Sequence, residues 1–163
     1  MTIQYGELKH EVEGSPDALI QEAVKFISSV IPAYTVASKI TYLPDYLQIA
    51  DEISSLVKIG TNGEILLESS DLAAEEALGL VLLAADIGCR VAKRESNELS
   101  VEEMEKATGR PVKTVRNSLV EMIRKAHVER TGRGSYRITL AGTKKLHDAV
   151  RQQNQGPGGV PET

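Results

Sequence analysis

Residues 99–139 limit the fold of this 163-residue chain more than any other stretch. Ser100 and Glu103 have the spacing of a capping box, in which each end of the first turn satisfies the other's backbone donor. Val101, Met104 and Ala107 then repeat at the helical period, giving a short helix over 101–107. Gly109 supplies the left-handed exit that helix C-termini favour. Arg110-Pro111 leads into a second helix over 111–125, whose Val115, Leu119 and Met122/Ile123 form one core-facing stripe. Beyond it Val128 alternates inward on one strand and Tyr136 with Ile138 on another, around Gly132-Arg133-Gly134. This hairpin spans 127–139. Thr139 is placed to cap a last helix with Leu140, Leu146 and Val150 facing in.

The rest of the chain reads as mostly helical. Residues 2–12 alternate in a small hairpin turning at Gly6-Glu7. Ser15, Pro16 and Asp17 open a helix with an apolar stripe of Leu19, Ala23, Phe26, Ile27, Val30 and Ile31, which Pro32 ends or kinks. Further helical pieces are expected over about 33–42 and from Tyr46 to Val57, stopping at Gly60; Thr61-Asn62-Gly63 is a turn and 64–68 a short strand. Ser70 and Asp71 are placed to cap a long helix reaching about Arg94, apolar nearly all round, as in a buried spine or one half of a dimer seam. With no Trp and one Phe, the core must be aliphatic. The predicted class is mainly α with small β (α+β), in three parts: an acidic, mainly helical region 1–70, a module 71–152 and a disordered tail 153–163.

Charge separates along the chain. Residues 1–89 hold 4 basic and 14 acidic side chains, a net of −10; residues 90–151 hold 15 and 8, a net of +7. A basic module joined to an acidic partner points to a polyanion on the basic side. The longest apolar run, 77–92, is too short for a comfortable membrane span and carries Asp86 and Arg90. No basic segment followed by an apolar run marks a signal peptide at the start, and one Cys excludes an internal disulfide, so a cytoplasmic location is expected.

Enzyme chemistry finds little footing. His10, His127 and His147 are scattered, one Cys and three His do not make a metal site, and no cofactor is implied. Asp51-Glu52 and Glu75-Glu76 are adjacent pairs that point to different helix faces. There is no Gly-rich phosphate loop of the Walker kind. Cys89 beside Arg90 is a candidate redox switch or a small core residue. Tyr34, Tyr42 and Tyr46 are candidates for a ligand cleft or for helix packing.

The second helix and the hairpin carry the functional signal. Lys113, Thr114, Arg116 and Asn117 lie opposite the apolar stripe, with Val120 and Glu121 at the edge. Arg offers two parallel donors to guanine and Asn pairs with adenine through its amide. Arg133 sits at the hairpin tip, where an Arg can enter a narrow minor groove. Arg110, Lys125, Arg130 and Arg137 are candidate phosphate ligands.

Residues 71–150, and "LSVEEMEKATGRPVKTVRNSLVEMIRKAHVERTGRGSYRITLAGTKKL" in particular, resemble the winged helix-turn-helix domains of prokaryotic transcription regulators, the broad MarR-like group. The whole chain is similar to archaeal proteins that join an acidic helical N-terminal part to such a domain. The resemblance implies a non-enzymatic regulator that binds double-stranded DNA, with helix 111–125 in the major groove and the wing 127–139 beside it. It implies a homodimer, and an effector or protein partner held by residues 1–70. A winged helix also serves as an adaptor in transcription or RNA-processing complexes, and that reading stays open.

Overall fold

Amphipathic patterning meets two different fates in this chain. The computed structural model describes residues 1–30 and 39–154, which fall into two compact units divided between Leu43 and Pro44. In the first, β1 (Thr2–Tyr5) and β2 (Leu8–Glu11) pair antiparallel through the expected turn, with Gly6 at φ +60°. α1 (Pro16–Val30) follows, its Ser15 hydroxyl accepting from the Ala18 N–H at 3.4 Å. None of its residues is buried. The expected effect of Pro32, most of the helical piece over 33–42, and Tyr34 lie outside the described residues.

The second unit starts at Pro44, and its segment 44–70 contributes Ile49, Ile53, Val57 and Ile65 to the same core as the residues after it. α2 (Tyr46–Ile53) is capped by Asp45, whose carboxylate accepts from the Gln48 N–H at 3.0 Å. It stops before Val57. The β-branched Val57 and Ile59 belong instead to β3 (Val57–Ile59), which pairs antiparallel with β4 (Ile65–Leu67) across the Asn62-Gly63 turn. A strand such as β4 needs a partner for its backbone donors, and this one takes it from the end of the expected helix.

α3 (Ala74–Arg90) is the spine: twelve consecutive residues, Ala77 to Gly88, are buried. It therefore has no spare apolar face for a twin across a two-fold axis. Its start is also later than expected. Ser70 and Asp71 hydrogen-bond each other, and Ala73 takes the N-cap position without a side-chain bond. Its end is earlier, because Ala92 turns left-handed at φ +56° and the Lys93 and Arg94 N–H groups fold back on the Gly88 carbonyl. Asp86, buried in this helix, accepts from Arg90 Nε at 2.9 Å and from Asn97 Nδ2 at 3.2 Å. The Arg90 guanidinium lies 4.2 Å from the centre of the Tyr46 ring, and the Asp86 carboxylate beside it raises its pKa above the ordinary arginine value.

β5 (Leu99–Ser100) leads into α4 (Val101–Thr108), which carries both bonds of the Ser100–Glu103 capping box and ends on Gly109 at φ +65°. α5 (Val112–Arg124) begins one residue later than expected, with Pro111 at the N-cap. β6 (Val128–Arg130) and β7 (Ser135–Ile138) form the expected hairpin, and β5 adds to it in the order β5-β7-β6. That third strand is absent from the sequence reading. α6 (Leu140–Asn154) is opened by Thr139, whose hydroxyl accepts from the Gly142 N–H at 3.0 Å. Gly142 is held to glycine by proximity: a Cβ there would meet the His127 carbonyl oxygen at 2.1 Å. Leu146 and Val150 face in as expected, but Leu140 is exposed. The helix also continues through residues 153–154, where a tail was expected, and Gln153 donates to Glu76 at 2.7 Å. Residues 155–163 lie outside the description.

Candidate nucleic-acid interface

α4, the Gly109 turn and α5 set the second helix against the spine by its apolar stripe. Val115, Leu119 and Met122 are buried as read from the sequence, and Ser118 joins them. Ile123 is 40% exposed and does not. The opposite face is open: Lys113, Arg116 and Asn117 are exposed and Thr114 is half-buried at its flank. Lys113, Arg116 and Asn117 make no side-chain hydrogen bond or ion pair among the described residues. Val120, at 63% exposure, lies in the middle of this face rather than at its edge. Arg124 also lies there, at the C-terminal end, paired with Glu121 at 2.5 Å. Sequence reasoning passed over it, although its spacing of four from Val120 was the available sign.

The hairpin presents a second cation. The Gly134 N–H donates to the Gly132 carbonyl at 2.9 Å, and Gly134 takes φ +91°. Arg133 between them is exposed and has no partner among the described residues. Arg130 turns its Nε to the Gly132 carbonyl at 3.2 Å.

Three residues expected to meet phosphate are committed elsewhere. Arg110 is half-buried and donates through Nη2 to the Leu72 carbonyl, holding the segment before α3. Lys125 lies 2.8 Å from Glu75 at the start of α3. Arg137 pairs across the hairpin with Glu129 at 2.5 Å, and that carboxylate raises its pKa above the ordinary value. The partner in each case is remote along the chain, or across a strand pair.

The other candidates separate similarly. His147, one of the scattered histidines, is buried with Nε2 2.9 Å from Glu52, out of line for a hydrogen bond, and Arg151 stands 3.7 Å from the same carboxylate. The contact ties α6 to α2. His10 stacks on Phe26 at 5.7 Å and lies 3.7 Å from Glu22. Cys89 is half-buried with Sγ 3.9 Å from the Glu95 carbonyl, while the neighbouring Arg90 is spent on Asp86. Tyr46 packs against the core. Among the described residues no group of three His, Cys, Asp or Glu side chains is placed to hold a metal ion, and no helix is long and apolar enough to cross a membrane.

Comparison of the chain with known protein families, characterised proteins and solved structures finds no match.

Proposed function

We propose that residues 99–139 act as a winged helix-turn-helix that binds double-stranded DNA, in a protein that regulates transcription. The observation that carries this reading is the unpaired set on the open face of α5: Lys113, Arg116 and Asn117, with Arg133 at the hairpin tip. A helix presenting Arg and Asn outward has the donors that base edges require in the major groove. Arg133, on a two-glycine tip, has the reach for a minor groove or for backbone phosphate. The resemblance to winged-helix regulators supports the same assignment. Pairing of two copies through α3 is not part of the proposal, since that helix is consumed by its own core.

The test is a gel shift on random-sequence duplex across salt. Binding at low salt that weakens with a slope of about 0.9 per phosphate contact supports the reading. Arg116→Ala relaxes base preference, whereas Arg133→Ala weakens all sequences alike. Absence of any shift at low salt overturns it.

One observation favours a second reading. Val120 and Ile123 put exposed apolar surface into the same face, as a protein-docking helix would. If duplex DNA is ignored, an adaptor role through this face takes over.

A further inference from the structure

Beyond DNA binding, we propose that the second unit holds a binding site for a small, uncharged, largely apolar compound carrying one hydroxyl or carbonyl group. A cavity of about 680 Å³ opens between the start of α3, the end of α5, β7 and α6, within the roughly 300–1,000 Å³ usual for small-molecule sites. Its walls are apolar: Gly79, Met122, Ile138, Leu146 and Ala149.

The polar handle is Ser118. It lines the cavity, is only 8% exposed, and its hydroxyl has no hydrogen-bond partner among the described residues. Helical hydroxyls commonly bond back to the carbonyl four residues earlier. Thr108 does so to Met104 at 2.7 Å and Thr143 to Thr139 at 3.1 Å. Ser118 does not, so its donor and acceptor are unspent beside a cavity. The hydroxyl is not sealed in protein but opens to the cavity, and a ligand group that bonds it takes the place of solvent there.

The charges at the mouth decide against an ion. Lys125 is neutralised by Glu75 at 2.8 Å. Glu76 accepts from Gln153 and is opposed in charge by the exposed Lys145, so the two carboxylates and two ammonium groups of the lining cancel, leaving His127 as the other ionisable side chain there. A charged ligand would lose water against aliphatic walls with nothing to repay it.

The site is tested without DNA, so its failure is separate from failure of the regulator reading. The full chain has no Trp, so the fluorescence of 1-naphthol reports binding without indole background. Saturable one-to-one binding is expected, weakened about 5–10-fold in Ser118→Ala and abolished in Ala149→Leu, which fills the half-exposed wall. Naphthalene should bind both Ser118 proteins equally, and 1-naphthoate more weakly than 1-naphthol. Ser118→Ala removes no existing hydrogen bond, so its melting temperature should match the parent, and it remains decisive if Ala149→Leu does not fold. Non-saturable binding, binding indifferent to Ser118→Ala, or 1-naphthoate equal to 1-naphthol overturns the proposal.

Discussion

Two sets of cations in the second unit differ in what they are bound to. On the open face of α5 and at the hairpin tip, Lys113, Arg116 and Arg133 have no partner among the described residues. The other set, the girdle, is spent on joining elements: Arg94 on the Gly63 carbonyl and Glu103, Arg110 on the Leu72 carbonyl, Lys125 on Glu75 and Arg137 on Glu129. Both sets are basic by sequence. The first carries unpaired charge for an outside anion, whereas the second shares its charge with carboxylates and carbonyls of other elements. A net positive count therefore overstates the binding surface, and the pairing state of each side chain defines it.

The comparison is open to attack from both sides. The largest effect should come from the free region: Lys113→Ala with Arg116→Ala is expected to lower duplex affinity by about two orders of magnitude at low salt, with the thermal melt unchanged. A loss under threefold in equilibrium titration would erase the distinction. Arg133→Ala should cost about 3–10-fold and reduce the salt slope by about one, measured by titrating at several salt concentrations. In the girdle, Lys125→Ala should leave affinity within about twofold, while Glu75→Gln, which releases Lys125, should raise it by roughly twofold. If Lys125→Ala proves as damaging as Arg116→Ala, the girdle belongs to the binding surface.

The smallest effect concerns the fold alone. Burial is the largest influence on Glu103 and pushes its pKa up, but the Ser100 N–H, Arg94 and the Ser100 hydroxyl together hold it below the ordinary carboxylate value. A carboxylate with a depressed folded pKa stabilises above its unfolded value, and that contribution vanishes as pH falls through the folded pKa. Glu103→Gln should thus lower Tm by roughly 1–2 °C at pH 7, given its exposure. The gap should close below about pH 4, with duplex affinity unchanged at neutral pH.

What was legible in the sequence was local. The Ser100–Glu103 box, the Gly109 exit, the Thr139 cap and the Gly132-Arg133-Gly134 turn are decided within a few residues, and each is found where its chemistry placed it. The exposed Lys113, Arg116 and Asn117 follow from one helical period. Misreadings came where the deciding partner was distant. Val57 and Ile59 fit the end of a helix as well as a strand until Ile65–Leu67 pairs with them. β5 becomes a strand only because β7 lies beside it. Arg110 and Lys125 looked available because Leu72 and Glu75 come from another helix's approach. The apolar helix over 72–93 offered both a spine and a dimer seam, and only the packing of α2, β3, β4 and α4 to α6 around it decides for the spine.

The central claim is that the open face of α5 and the hairpin tip are what duplex DNA touches. Backbone amide chemical-shift mapping of the full chain during titration with a random-sequence duplex at low salt tests it directly. The account predicts perturbations concentrated over residues 112–120 and 132–134, with Leu72, Glu75 and Glu129 little changed. Shifts confined to the girdle or to residues 1–43, or no shift at saturating duplex, would contradict it.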